Sequence, residues 1–395
     1  MSTILFIHQS ADLYGSDRVL ANIVVGCKAA GHTSVVLLPC EGELADELRA
    51  ASIEVKVGEV VKISRGLLSP RGLLSLPGRL RRSLAFIDGA VAGRKIDVVH
   101  SNTLAVLGGA LWARRHRVPH LWHVHEIIES PRLLSYGFPV LVHALSDIVI
   151  ANSRQTAAWL VKRVPHLGRK TQVVWNGIER KTPFDAGQRE HLRAEWGFGS
   201  QTIVLGLVGR INRWKGHTLL LDALEQVAVA LPHQQFGLVF AGSPPLGQEH
   251  FLESLQAKIA GSPLRDQVRL VGFQNEVWSL WDAIDIAVVP STEPEPFGLV
   301  AIEAMASGKP VIAAGHGGLV EIVEHGVTGF LFLPVNLDEL QHAIEKLVGD
   351  PELCRSMGVL GLARQAELFS VAIQVATILD IYDRVAVRGV SERCK

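Results

Sequence analysis

Glu295 and Glu303 stand eight positions apart in the stretch EPEPFGLVAIEAMASGK over 293–309, with Phe297, Gly298 and Leu299 between them. The glycine leads into an apolar, small-residue segment that reads as a helix stopped by Gly308 and Pro310. A helix N-terminus offers free backbone N–H groups and the positive end of the peptide dipoles, both of which favour phosphate. A carboxylate ahead of that helix and another one turn in can accept hydrogen bonds from sugar or ribose hydroxyls. Either glutamate alone is more often a cap or a solvated helix carboxylate. The surroundings must decide.

Two further stretches carry chemistry. Arg210 and Lys215 lie five positions apart in GRINRWKG, a glycine-bounded loop directly after an apolar run. Cations so spaced can clamp the two phosphates of a nucleotide diphosphate, although a solvated basic loop has the same composition. His125 and Glu126 follow another apolar run in LWHVHEIIESP. His123 and His125 are read as facing opposite sides of an extended segment with no third ligand, so we expect no metal there. His125 is read as a hydrogen-bonding or acid/base group. In HQSADLYGSDR, Gly15 and Ser16 begin a helix after the first strand, a second phosphate-compatible N-terminus. It lacks the full glycine fingerprint of a dinucleotide fold, which argues against a nicotinamide cofactor.

Short apolar runs and helical stretches alternate along the chain, the pattern of doubly wound parallel sheets. Strands are expected over 4–8, 34–38, 98–101, 120–123, 148–151 and 172–175, with helices over 16–30 and 154–164. A second series covers 203–209, 237–241, 268–271, 286–290, 310–313 and 329–333. The polar stretch 176–200 reads as a linker, and 370–387 as an amphipathic helix packing back across the domains. Two such units predict a cleft facing the carboxyl ends of the strands, where ligands of these sheets bind. The polar candidates all fall just after strands.

A chain of 395 residues calls for two domains. Lys plus Arg and Asp plus Glu balance at 39 each, so no overall field recruits nucleic acid. The four cysteines have no metal or redox spacing, which suits a reducing compartment. The segment MSTILFIH is too short for a signal peptide, and no uninterrupted apolar run of membrane-spanning length occurs. We expect a cytoplasmic protein, soluble or peripheral on the inner membrane face.

The blocks GRINRWKG, VGFQNEVWSLWDAIDIAVVPS, EPEPFGLVAIEAMASGKPVIAAGHGGLVEIV and HGVTGFLFLP, in this order, resemble the retaining glycosyltransferases of family 4. ANSRQTAAWL followed by VVWNGI resembles the end of that family's first domain. The resemblance implies the GT-B fold, two Rossmann-like α/β domains facing a central cleft. The first would span 1–178, with the helix of about 370–395 packing back on it, and the second 179–370. It also implies transfer of a hexose-type sugar, with retention, from a GDP- or UDP-linked donor to a glycan or lipid-linked acceptor. No cofactor and no obligatory metal are expected. Arg210 and Lys215 would hold the diphosphate, Glu295 the transferred sugar and Glu303 the ribose. Backbone N–H groups of Phe297, Gly298 and Leu299 would lie near sugar and phosphate, and the 272–277 loop beside the base. His125 would lie beside the sugar, and Gly15 in the loop approaching donor phosphate and acceptor. Family members often carry two glycines and an acid where this chain has Tyr14-Gly15-Ser16-Asp17, and His-Asp where it has His125-Glu126.

The segment 62–82 carries Lys62, Arg65, Arg71, Arg79, Arg81 and Arg82 among leucines with no acidic residue. This composition suits an anionic membrane surface and a lipid-linked acceptor, or a solvated loop. Its prolines and glycines argue against a continuous helix. Surface polysaccharide or glycolipid synthesis is the leading expectation. The alternatives are another GT-B enzyme, such as a nucleotide-sugar epimerase, and a non-catalytic nucleotide-sugar-binding partner.

Overall fold

The structure, a computed structural model, describes the backbone of residues 1–63 and 70–393, and their side chains apart from those of 70, 73 and 386–393. The chain forms two compact units, one of Met1–Gly177 with Val371–Lys395 and one of Ile178–Ser370.

In the first unit the chain alternates strand and helix from the start. β1 (Thr3–Ile7), α1 (Gly15–Ala29), β2 (Thr33–Leu38), α2 (Glu43–Ala50) and β3 (Glu54–Val57) come first. They are followed by α3 (Pro70–Val91), β4 (Val98–Asn102), α4 (Gly108–His116), β5 (His120–Val124), α5 (Arg132–Leu145), β6 (Ile148–Ala151), α6 (Arg154–Arg163) and β7 (Thr171–Val173). The strands pair in the order β3-β2-β1-β4-β5-β6-β7, each contact parallel. Apolar runs such as Ile4–Ile7 supply both faces: Leu5 and Ile7 join a core with Ile87, Val91 and Trp112, while Phe6 faces Tyr382. A sheet covered on both sides demands such unbroken apolar strands. β3 escaped the sequence reading because it is a short edge strand with Glu54 and Lys56 alternating outward.

The second unit repeats the plan. It contains α7 (Ala186–Glu195), β8 (Ile203–Val208), α8 (His217–Ala230), β9 (Phe236–Ala241), α9 (His250–Ala260), β10 (Val268–Val271) and α10 (Trp278–Ala283). β11 (Ile286–Val289), α11 (Leu299–Ala306), β12 (Val311–Ala314), α12 (Leu319–Ile322), β13 (Gly329–Phe332), α13 (Leu337–Gly349) and α14 (Pro351–Leu368) complete it. Its six parallel strands run β10-β9-β8-β11-β12-β13. The last helix, α15 (Val371–Arg393), returns to the first unit and packs on α1 and β4. There the Tyr382 hydroxyl meets His100 Nδ1 at 2.5 Å, both side chains fully buried.

Two expectations change, and one composition signal needs an explanation. The stretch 176–200 is not a free linker, because α7 lies inside it and its arginines have buried work to do. Arg180 makes a two-pronged contact with Asp282 at 2.8 and 2.7 Å, and Arg189 and Arg193 both reach Asp285. The basic segment becomes helical from Pro70, although Pro77 sits inside α3. Pro70 opens the helix where no N–H donor is needed, and the packing of Leu84, Ile87 and Val91 holds its second half. Glu59 engages Arg79 at 3.4 Å and Arg82 at 3.0 Å, so part of the positive patch is internally balanced. Arg65 lies outside the described residues. Finally, Pro351–Val385 is long and apolar enough by composition to cross a membrane. This run is two helices broken at Phe369 and Ser370, and each buries a face (Met357 in one, Ile378, Ile381 and Tyr382 in the other).

Both units bury histidines. Burial pushes His120 down to about 4, His217 to about 3, and His100 and His123 well below the usual 6.5. An unfolded imidazole takes a proton near ~6.5. Below that pH the unfolded chain therefore binds more protons than the folded one, and stability falls as pH drops toward about 4. Glu126, pushed up by burial, acts in the opposite sense but is outnumbered. The midpoint of urea unfolding should accordingly be lower at about pH 5 than at about pH 7.5. Equal midpoints would contradict this account of the buried histidines.

Candidate functional site

β8 and β11 are neighbours at the point where the second sheet's strand order reverses, so the loops after them diverge to either side of a crevice. Arg210 and Lys215 are on the loop after β8, and Glu295 on the loop after β11. Asn212 Oδ1 accepts from the N–H groups of Trp214 and Lys215, each at 3.1 Å. This Asx turn presents Lys215 just ahead of α8. Gly216 then adopts φ +80°, and a Cβ on it would stand 2.0 Å from the Pro290 carbonyl oxygen. Only glycine lets the two loops approach this closely.

Lys215 Nζ donates to Glu295 Oε1 at 2.7 Å and lies 4.5 Å from the centre of the Trp214 ring. Both members of the ion pair are largely buried, with 13% and 7% of their side-chain surface exposed. Ser291 Oγ donates to the same carboxylate oxygen at 2.5 Å, and His316 Nε2 donates to the Ser291 carbonyl at 2.8 Å. The loop after β12 supports the other side, where Gly318 N–H donates to the Glu295 carbonyl at 2.7 Å. Gly317 adopts φ +61°, and a Cβ there would lie 2.2 Å from the Glu295 carbonyl oxygen.

The remaining candidates of this unit follow in sequence. Gly298, at φ +119°, caps α11, which begins at Leu299. The Phe297 ring is core, 6.0 Å from the Phe369 ring, so its backbone is the part that can serve a ligand. Glu303 sits within α11 and is 7% exposed. Arg210 is exposed on the Lys215 loop. The structure thus joins Lys215 directly to Glu295 and sets the other second-unit candidates on the flanking segments.

Gly15 and His125 belong to the first unit. Gly15 opens α1, and Asp17 beside it is no ligand-facing acid. Asp17 is buried and accepts from His8 Nε2 at 2.5 Å, Ser10 Oγ at 2.6 Å and Tyr14 N–H at 3.0 Å. His125 follows β5, with its Nε2 2.8 Å from Asn102 Oδ1. Glu126 Oε2 accepts from the N–H groups of Leu104 and His125, both at 3.1 Å, and so ties the ends of β4 and β5 together. Burial, reinforced by His123 and His8, holds His125 well below 6.5, so it is neutral at physiological pH. The His123 and His125 rings do not face apart, because their centres are 4.0 Å from each other. Side chains two positions apart on a strand return to the same face. Among the described residues no three His, Cys, Asp or Glu side chains converge as a metal set, and both ring nitrogens of His123 lack a hydrogen-bond partner.

Comparison with known proteins now settles the family. Residues 188–361 match the profile described as Glycosyl transferases group 1, and residues 14–181 that of Glycosyltransferase Family 4. The D-inositol 3-phosphate glycosyltransferase of Streptomyces bingchenggensis is 30% identical over 92% of this chain and 87% of its own. The chain belongs to glycosyltransferase family 4. The match to the enzyme of the same name from Corynebacterium jeikeium is 32% identical, over 62% of this chain and 59% of that one. The alpha-maltose-1-phosphate synthase of Mycolicibacterium smegmatis is 31% identical over 80% of this chain and 85% of its own. Among solved structures, Anabaena HepE in complex with UDP and glucose superposes with a TM-score of 0.83 at 26% identity, covering 97% of this chain and 100% of that one. The two units are Rossmann-like domains of the GT-B type, and the protein is a glycosyltransferase.

Several residues that shape this transferase's site were missed in the sequence. Ser291, Asn212 and His316 act on the candidates through short polar contacts that no spacing rule reports. The Gly315-His316-Gly317-Gly318 run was the one visible signal, since paired glycines mark close backbone approach. Gly317→Ala should displace the backbone of residue 295 and lower sugar-transfer activity at least about tenfold, with the fold retained by circular dichroism. Native turnover in that variant would contradict the positioning role of this loop.

Proposed function

We propose that the protein transfers a hexose from a UDP-linked donor, with retention of anomeric configuration, to a glycan or lipid-linked acceptor. The observation that carries this reading is the buried Lys215–Glu295 pair at the second unit's switch point. A cation and a hydroxyl-accepting carboxylate held side by side suit a ligand whose diphosphate adjoins a sugar. A uridine donor is favoured by the 27% identical Anabaena HepE structure with UDP-glucose, which superposes with a TM-score of 0.82.

In this reading Arg210 and Lys215 bind the diphosphate and meet the charge that grows on it as the glycosidic bond breaks. Glu295 accepts from the sugar's hydroxyls and Glu303 from the ribose. Backbone N–H groups of Phe297, Gly298 and Leu299 line the same end of α11. The bond from C1 to the diphosphate oxygen breaks, and the acceptor oxygen bonds C1 on the same face. The acceptor's proton passes to the departing phosphate oxygen, releasing UDP. No metal or cofactor enters this scheme, because the two cations take the role of charge neutralisation.

The surface helix α3 is our candidate for contact with an anionic membrane. It exposes Arg71, Arg81 and Leu74, and Arg79 and Arg82 are partly engaged by Glu59. Such contact would place the enzyme on the cytoplasmic face, in surface polysaccharide or glycolipid synthesis.

UDP at a hundredfold excess over its Kd stabilises a native state by about 2.7 kcal/mol, enough to raise the melting temperature by several degrees. UDP should raise the melting temperature more than GDP. Lys215→Ala should abolish the shift and lower transfer by about a hundredfold or more. Equal shifts with both nucleotides, or a Lys215→Ala enzyme with native kinetics, would overturn this assignment.

A further inference from the structure

The carboxyl end of β1 meets that of β4 at the switch point of the first sheet, and a line of buried hydrogen bonds crosses it. Asp17, in the first turn of α1, is acceptor-only when ionised, so the proton between it and His8 Nε2 lies on the imidazole. His8 Nδ1 stands 3.1 Å from Asn102 Nδ2 and 3.3 Å from the Asn102 carbonyl oxygen. The same Asn102 amide nitrogen donates to the Ser16 carbonyl at 3.2 Å. A carbonyl can only accept, so the NH2 side of Asn102 is fixed toward Ser16 and His8 and its oxygen toward His125. That oxygen is 2.8 Å from His125 Nε2 and cannot donate, so Nε2 carries the proton. The Ser16 carbonyl thus sets the direction of the Asn102 amide, and with it the proton on His125 Nε2. Among the described residues His125 Nδ1 has no hydrogen-bond partner.

The backbone holds Asn102 in place at a cost. Thr103, the next residue, is fully buried and β-branched, yet adopts φ +84°. Such a conformation costs about 1–3 kcal/mol and persists only where the surroundings enforce it. Here Trp122 Nε1 donates to the Thr103 carbonyl at 2.8 Å, and Thr103 N–H donates to the His123 carbonyl at 2.8 Å. Asn102 itself is fully buried.

We propose that Asn102 is a positioning residue that locks His125 as its Nε2–H tautomer, so that His125 meets a ligand through the bare Nδ1 and recognises a sugar hydroxyl rather than a phosphate oxygen. An imidazole nitrogen without a proton accepts from O–H and has nothing to offer an anion. Asp17 and His8 act through Asn102, which links the Tyr14–Asp17 loop to His125. The nature of the ligand rests on the sugar-transfer reading above, whereas the tautomer rests on the hydrogen bonds alone.

Long-range proton–nitrogen correlation spectra of the full-length protein labelled with 15N-histidine test this. The His125 signal is assigned by its loss in His125→Gln. The wild type should show His125 protonated at Nε2 and bare at Nδ1 near neutral pH. Asn102→Leu should release the lock, moving the signal toward the Nδ1–H form or an exchange average. It should also lower kcat/KM for UDP-glucose hydrolysis about tenfold or more, with less than about a threefold change in the Kd of UDP. Wild-type His125 protonated at Nδ1 overturns the proposal, and that spectrum decides even if Asn102→Leu fails to fold. An unchanged tautomer in a folded Asn102→Leu protein overturns it as well. A wild type that neither binds UDP nor cleaves UDP-glucose removes the hydroxyl assignment but leaves the tautomer result standing, so the two failures are distinguishable.

Discussion

Everything in the second unit's site is arranged around one buried contact, the Lys215–Glu295 ion pair. Two charges taken out of water must compensate each other, and removing one partner of such a pair typically costs about 3–5 kcal/mol. The loops that bring them together are correspondingly constrained. Gly216 permits the approach to Pro290, the Asn212 side chain turns the chain before Lys215, and Gly317 and Gly318 lie backbone to backbone on Glu295 and Phe297. Ser291 satisfies the carboxylate further. In the proposed reading the two binding groups are held against each other by the pair. A donor replaces each group's partner, diphosphate for Lys215 and sugar hydroxyl for Glu295, so neither charge is left uncompensated.

The first unit solves a different problem with different chemistry. Its strand ends carry neutral, buried histidines, and the Asp17 and Glu126 carboxylates beside them are consumed by internal hydrogen bonds. Burial keeps these imidazoles unprotonated, so their value lies in direction rather than charge. A neutral imidazole has one donor and one acceptor, and only its fixed neighbours decide which is which. The α1 start and the ends of β4 and β5 supply those neighbours. A small change at residues 14–17 is therefore felt at His125.

The parallel sheets were legible because their strands are unbroken apolar runs at regular intervals, and twelve of them could be read from hydrophobicity alone. β3 was not, since Glu54 and Lys56 hide a four-residue edge strand. The helix α7 was mistaken for linker because Arg189 and Arg193 look solvated in sequence, while their partner Asp285 lies some ninety residues away. The same distance hid the site's supports. Glu295, Lys215 and Glu303 stand in motifs dense enough to mark them, but Ser291, His316, Asn102 and His8 carry no local signature. Their importance arises from contacts between different strand ends, which only the folded chain assembles. Pro77 misled in the opposite direction, because a proline's local cost was outweighed by the packing of Ile87 and Val91 beyond it.

The central claim is that Glu295 holds the sugar while Lys215 holds the diphosphate, and one substitution separates these roles. Glu295→Gln removes the carboxylate's charge but keeps its shape, freeing Lys215 for the nucleotide. Titration calorimetry of UDP, run beside UDP-glucose turnover on the same Glu295→Gln preparation, is the most direct measurement. The account predicts that UDP binds as tightly as to wild type or tighter, while turnover falls about a hundredfold or more. Turnover at the wild-type rate, or a parallel loss of UDP binding and turnover, would contradict it.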